Sequence, residues 1–328
     1  MEFSSLNIHQ ILNAAQANFN QTCLDLFRYQ ASHNPIYYNY LSALDVAHDQ
    51  VKKITDIPFL PISFFKTHDV RTGQWRPATE FTSSGTTGLQ TSRHPVRDLN
   101  HYLDHCKNSF ESVYGSLEDY CILGLLPSYL ERTGSGLIAM VEGFMNISNH
   151  PLNGYFLYNH QDLAERLANL ENQEQKTLLI GVTFGLIDFA AQYPIPLKST
   201  IVMETGGMKG RSQELTRDAV HEQLQKAFCL SHIHSEYGMT ELSSQAYSHG
   251  NGIYRPSPGM QVLVRETTDP LSCHLSGSGG LNIIDLANLH TCAFIATEDL
   301  GKVHPDGRFE VLGRFDQSDA RGCNLMVP

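Results

Sequence analysis

The sequence is short of three things, and each shortage removes a class of function. Its seven cysteines stand singly, at 23, 106, 121, 229, 273, 292 and 323. With no C-x-x-C pair, neither a zinc knuckle nor a dithiol redox site is expected, and reduced thiols are the default. No stretch stays apolar for the ~18 residues that a membrane span needs, and the N-terminus lacks a basic segment followed by an apolar one. The chain therefore reads as cytoplasmic, with no membrane span. Basic residues are outnumbered: 23 Lys and Arg against 34 Asp and Glu give a formal net charge of -11. Such a surface repels nucleic acid and anionic membranes, so no nucleic-acid partner is expected, although one nucleotide held through a metal stays compatible with it.

What is present is a globular chain of 328 residues, 41% of them hydrophobic, enough for a substantial core. Residues 1 to 55 carry apolar positions at three- and four-residue spacing in "LNIHQILNAAQANF" and "CLDLFRYQASHN", which predicts helices, the second punctuated by Pro35. From about residue 95, helical and strand patterns alternate. "YCILGLLP", "GYFLY", "KTLLIGVTF", "STIVMETGG" and "SHIHSEYG" read as strands, separated by helices such as "DLAERLANLENQ" and "QELTRDAVHEQLQKAF". Strands that are apolar throughout and alternate with helices imply an α/β fold, its mainly parallel sheet covered on both faces. From about residue 252 the helices stop and short strands with Gly and Asp turns follow, predicting an antiparallel β subdomain. The expected organisation is a helical extension over 1–55, an α/β core over 56–251, and a β subdomain with a tail over 252–328.

Three segments carry the chemistry. Residues 82–88, "TSSGTTG", consist only of serine, threonine and glycine. Alone they could be a solvated loop or a loop that wraps an anion, and no Gly-Lys-Ser/Thr follows to make a Walker A motif. "SEYGMTELSSQ" puts Thr240 and Glu241 after a Tyr-Gly turn at a strand end, where side chains face a cleft at the carboxyl edge of a sheet, or where Thr240 caps a helix. "TEDLGKV" and "DGRFEVLGRFD" offer Asp299, Arg314 and Asp316 in a hairpin. His232 and His234 share a strand face but have no third metal ligand nearby in sequence.

In this order and spacing the three segments resemble the adenylate-forming enzymes. The resemblance implies a phosphate loop of Thr82, Ser83, Ser84, Gly85, Thr86, Thr87 and Gly88. It implies Thr240 on the α-phosphate, Glu241 on Mg²⁺, Asp299 on the ribose with Arg314 in support, and Tyr237 and Gly238 at the nucleotide. Gly206 and Gly207 of "METGGMKGR" would pack on the base. A closer likeness, carried by "LPISFFKTHDV", "FTSSGTTG", "SRH", "METGGMKGR" and "GRFDQSDARGCNL", is to the LuxE-type acyl-protein synthetases, from about residue 55 onward. It implies the large domain of adenylate-forming enzymes, ATP and Mg²⁺ as cofactors, and a fatty or other aliphatic carboxylate activated as acyl-AMP. The acyl group would then sit on Cys323 for transfer to an acyltransferase or reductase partner. A thiolate suits that task, and Arg321 beside it would favour ionisation.

Two departures stand out. Only residues 317–328 follow the "GRFD" segment, so the small domain and its catalytic lysine are expected to be absent. The loop also lacks the usual Pro-Lys after its last glycine. Lys209 and Arg211, or Arg93, are the candidate replacement cations, since the transition state needs positive charge near the phosphate. Gly134, Gly136 and Met140 are candidates to shape an acyl pocket. Two other functions remain open: a non-catalytic nucleotide- or acyl-binding subunit, and an ATP-independent thiol acyltransferase pairing Cys323 with a histidine such as His304.

Overall fold

The computed structural model describes residues 3, 6–83, 91–126, 134–206 and 215–315. Three helices open the chain: α1 (Ile8–Ala17), α2 (Phe19–His33) and α3 (Pro35–Ala43). Pro35 does more than punctuate α2. Asn34 caps α3, its side chain accepting from the backbone N–H groups of Ile36 and Tyr37 at 3.1 Å, and Pro35 takes the first helical position. That position has no use for an N–H, so proline starts a helix there.

Next come β1 (Leu60–Pro61), α4 (Phe64–Thr67) and an antiparallel pair, β2 (Thr79–Thr82) with β3 (Arg93–Val96). The alternating region then follows in the predicted order: α5 (Leu99–Tyr114), β4 (Cys121–Leu125), α6 (Gly136–Ser148), β5 (Gly154–Phe156), α7 (His160–Asn172), β6 (Thr177–Val182), α8 (Thr183–Gln192), β7 (Thr200–Thr205), α9 (Arg217–Phe228) and β8 (His234–Tyr237). Strands complete it: β9 (Ala246–Ser248), β10 (Ile253–Pro256), β11 (Met260–Arg265), β12 (Cys273–His274), β13 (Gly277–Asp285), β14 (Phe294–Val303) and β15 (Phe309–Arg314).

Among the described residues one sheet runs β12-β11-β13-β14-β15-β10-β9-β8-β7-β6-β4-β5, with β1 beside β14. Strands β5, β4, β6, β7 and β8 are mutually parallel. From β8 through β12 every pairing is antiparallel. The α/β fold with a closing antiparallel part is therefore present, the two parts being continuous through β9 and β10. Every residue of β6 is buried, as an apolar strand covered on both faces must be.

Helices α7, α8 and α9 cover one face of the parallel strands, burying Leu179, Leu186, Phe189 and Phe228. Helices α5 and α6 cover the other, burying Phe110, Phe144 and Ile180. The N-terminal helices pack on the antiparallel strands, where Phe27 and Tyr37 meet Phe294 edge-on and stacked. No helix of the described residues is long and apolar enough to cross a membrane.

Candidate active site

The Ser/Thr/Gly loop leaves from β2 and returns into β3. Ser84, Gly85, Thr86, Thr87 and Gly88 lie outside the described residues, but both ends of the loop are fixed. The Thr82 N–H donates to the carbonyl of Gly134 at 2.8 Å, the Ser83 N–H to that of Ser92 at 3.1 Å, and the Ser92 N–H to the Ser83 hydroxyl at 2.9 Å. Gly134 has φ +81°, and a Cβ there would stand 3.0 Å from the Glu80 carbonyl and 3.3 Å from Thr82 Oγ1. Only glycine suits both the backbone conformation and the close approach.

Thr240 and Glu241 sit in a turn just past β8, and no helix begins there. This turn meets the strand that leaves the loop. The Thr240 carbonyl is 2.7 Å from His94 Nδ1, and since a carbonyl only accepts, Nδ1 carries the proton; Nε2 is left to accept from the Thr291 hydroxyl at 3.2 Å. Burial lowers the His94 pKa, keeping the ring neutral for this role. Two residues earlier, Ser92 acts as a hydrogen-bond donor that holds the Glu241 carboxyl down. Burial raises the Glu241 carboxyl above its usual range, and Ser92, Lys66 and Arg314 oppose the rise.

The C-terminal hairpin closes the same region. Asp299 on β14 is paired in register with Arg314 on β15, and Arg314 Nε donates to Asp299 Oδ1 at 3.1 Å. The Tyr237 hydroxyl donates to Asp299 Oδ2 at 2.8 Å. Loop ends, Tyr-Gly-x-Thr-Glu turn and hairpin, distant in sequence, thus converge at the carboxyl ends of the parallel strands, where α/β sheets hold ligands. Gly206, exposed at the end of β7 with φ +76°, offers its carbonyl to the Thr183 hydroxyl at 3.1 Å. Gly207, Lys209, Arg211, Asp316, Arg321 and Cys323 lie outside the described residues. Arg93 is exposed, and His304 is engaged by Glu310 at 2.9 Å. Among the described residues no group of three or more His, Cys, Asp or Glu is placed to hold a metal; His234 packs against His249 and Tyr114 instead.

Four participants escaped the sequence reading. Lys66, on α4, acts on Glu241 from within the quoted "LPISFFKTHDV", so a described cation is available at the turn. His94 lies in the quoted "SRH", but its link to Thr240 spans 146 positions and leaves no local signal. Two buried carboxylates flank the strand ends. Glu204 accepts from Thr183 at 2.8 Å and Ser235 at 3.0 Å; burial would raise its carboxyl, but His221, Thr183 and Arg217 pull it below the usual value. Burial pushes Glu236, which accepts from Thr205, up to about 7.

The donor set fits a Mg-nucleotide. Mg²⁺ takes one or two carboxylates and completes its shell with phosphates and water, which a single buried Glu241 beside the loop end matches. Asp299 is a carboxylate with lone pairs to spare for hydroxyl donors.

Among solved structures, the ATP-bound RpMatB-BxBclM chimera B3 superimposes with TM-score 0.56 at 15% identity, over 72% of this chain and 47% of that one. ATP-bound MatB from Rhodopseudomonas palustris gives TM-score 0.54 at 16% identity, over 72% and 47%. The luciferase-like enzyme from the nonluminescent Zophobas morio mealworm gives 0.51 at 17% identity, over 75% and 60%. The fold is that of the large domain of adenylate-forming enzymes, and the chain spans about half the length of the MatB structures it matches. Residues 3–328 match the acyl-protein synthetase family LuxE, and the chain belongs to that family. No curated protein matches it.

Proposed function

We propose that this chain is an AMP-forming ligase that activates a carboxylic acid with ATP and passes the acyl group to Cys323, for delivery to a partner enzyme. In the first step a carboxylate oxygen attacks the α-phosphorus and pyrophosphate leaves, forming acyl-AMP. In the second the Cys323 thiolate attacks the acyl carbonyl, AMP leaves, and the thiol proton passes to solvent. One observation carries the first step: Ser92 on Glu241 and His94 on Thr240 bind the end of the Ser/Thr/Gly loop to the turn, with the Asp299–Tyr237–Arg314 group beside them.

In this reading the backbone and hydroxyls of residues 82–88 surround the phosphates, Thr240 contacts the α-phosphate, and Asp299 receives the ribose hydroxyls. Tyr237 and Gly238 border the nucleotide, with Gly206 and Gly207 against the base. Mg²⁺ held by Glu241 would offset charge on the phosphates. Lys66 joins Lys209 and Arg211 as a cation that could serve the transition state. The thioester on Cys323, the acyltransferase or reductase partner and a cytoplasmic setting rest on family membership.

ATP–pyrophosphate exchange tests the first step without the second. Acid-dependent exchange supports adenylation; its absence with ATP still bound would favour the binding-subunit reading.

A further inference from the structure

The side chains of β8 alternate between two environments. Ser235 and Tyr237 point toward Glu204 and Asp299, the nucleotide side of the proposed site. Glu236 points the other way, toward α5 and β9, where Tyr247 is its cross-strand neighbour. These two sides of the sheet meet just beyond the strand, at Gly238 and the Thr240–Glu241 turn. A carboxylic acid reacting at Thr240 with a nucleotide on the Tyr237 side therefore has its body directed to the Glu236 side.

Farther from the turn that side is apolar, with Phe110, Met140 and Phe144 of α5 and α6, but next to the turn it is polar, where the first carbons of a fatty chain would need it apolar. Glu236 is 8% exposed and its Oε1 lies against the Cα of Gly238, so that a Cβ there would overlap it; Gln245 Cγ would be 3.7 Å from the same Cβ. Gln245 Oε1 and the Tyr247 hydroxyl, in side chains 4% and 1% exposed, have no hydrogen-bond partner among the described residues. Cys106 and Tyr102, on α5, are buried on the same side, both within electrostatic reach of Glu236. The Tyr102 hydroxyl donates to the Gly136 carbonyl at 3.3 Å, against Phe81, next to Thr82. The polar group thus extends from the Thr-Glu turn to the foot of the Ser/Thr/Gly loop. Cys106 is not a nucleophile here, since burial pushes its thiol up to about 12.

Buried acceptors facing an alkyl chain would stay unsatisfied, whereas a hydroxyl or amino group would satisfy them. Gly238 precedes Thr240 by two residues, so the two positions are within about 7 Å along the backbone. We infer that the acid activated at this site carries a hydrogen-bond donor, a hydroxyl or amino group, close to its carboxyl end, received by Glu236, Gln245 and Tyr247. This rests on the adenylating reading above, and it departs from the unsubstituted fatty chain that the family resemblance suggests.

The test is ATP–pyrophosphate exchange by the wild-type full chain with butanoate, with 2-, 3- and 4-hydroxybutanoate, with 2-, 3- and 4-aminobutanoate, and with decanoate and tetradecanoate. A site built to hydrogen-bond a substituent discriminates strongly against the analogue lacking it, so one substituted acid should exceed butanoate and both long-chain acids in kcat/KM by roughly a hundredfold or more. The better of the hydroxy and amino series identifies the donor. In Glu236→Gln that ratio should shrink to under about tenfold, while the wild-type ratio decides the matter even if the variant fails to fold. Exchange driven equally well or better by an unsubstituted acid would overturn this inference and leave adenylation standing. Exchange with none of the acids would overturn both.

Discussion

Arg314 and Tyr237 hold Asp299 from two directions, Nε at 3.1 Å from one carboxylate oxygen and the phenol at 2.8 Å from the other. Asp299 is 6% exposed, so the carboxylate is oriented before any nucleotide arrives, and two of its roughly four lone-pair positions remain for ribose hydroxyls. Asp299→Ala should weaken ATP binding by about ten- to a hundredfold, the range expected for lost hydrogen bonds to a charged group. Arg314 touches the carboxylate from a half-exposed position, and Arg314→Ala should cost only a few fold. Calorimetric titration of ATP into each variant checks both, and unchanged affinity in Asp299→Ala would remove it from the nucleotide site.

The acyl-cysteine can be tested against the other thiols. Burial pushes Cys106, Cys121 and Cys292 up to about 12 and raises Cys23 and Cys273, so these five are poor nucleophiles. Among the described cysteines only Cys229 is exposed. Incubation with ATP, Mg²⁺ and a radiolabelled acid that supports exchange should leave label on the protein that hydroxylamine removes. Cys323→Ala should abolish it, and Cys229→Ala should leave it unchanged. Label that survives Cys323→Ala and disappears in Cys229→Ala would transfer the acyl-carrier role to Cys229.

How far these features were readable depends on the distance over which each is made. The parallel strands were legible because strands such as β6 are apolar and buried from end to end, a pattern that needs no partner to be seen. Strands β1, β9 and β10 were missed: with two to four residues each, they owe their existence to pairing with β14, β8 and β15. Within the site, Thr240, Glu241, Asp299 and Arg314 announced themselves as motif residues, and the structure brings their segments together. His94 and Lys66 sat inside quoted segments without a role, because His94 hydrogen-bonds Thr240 and the Lys66 charge acts on Glu241, both far along the chain. Glu236 adjoins Tyr237 in sequence, yet its burial on the opposite face follows from strand alternation and the cover of α5.

The N-terminal helices are tied to the antiparallel strands at one contact that glycine alone permits. Gly259, between β10 and β11, has φ +82°, and a Cβ there would overlap Leu12 Cδ2 on α1. Gly259→Ala combines a left-handed backbone with overpacking and should destabilise the fold by about 2–4 kcal/mol, read as a lower urea midpoint. Leu12→Ala costs stability by itself, but in the double variant it should recover part of the Gly259→Ala loss, since the two residues are in contact. Strict additivity would show that the cost of Gly259→Ala is backbone strain alone.

Acid should loosen the protein through its buried histidines. His105 is 1% exposed; its Nε2 donates to the Ser244 hydroxyl at 2.8 Å, which in turn donates to Asp285 at 2.6 Å, and its Nδ1 has no partner among the described residues. Burial lowers its pKa to about 4, and His234 and His290 are likewise lowered to about 4. A histidine whose folded pKa lies below its unfolded value contributes stability that is present above about 6.5 and is lost as pH falls toward 4, because the unfolded chain takes up the proton first. Glu236, raised to about 7, works in the opposite direction: its contribution is present below about 4.5 and is lost as pH rises through 7. Burial raises Glu241 and Asp285 in the same sense as Glu236. Six of the described histidines are lowered, His94, His150 and His249 joining the three above, and they outweigh the three carboxyls, so urea unfolding should show lower stability at pH 5 than at pH 7. His105→Gln should reduce the loss between those pH values by about 2 kcal/mol relative to wild type, whatever the substitution costs at pH 7. An identical pH dependence in the variant would mean that His105 is already protonated in the folded protein and that Nδ1 finds an acceptor there.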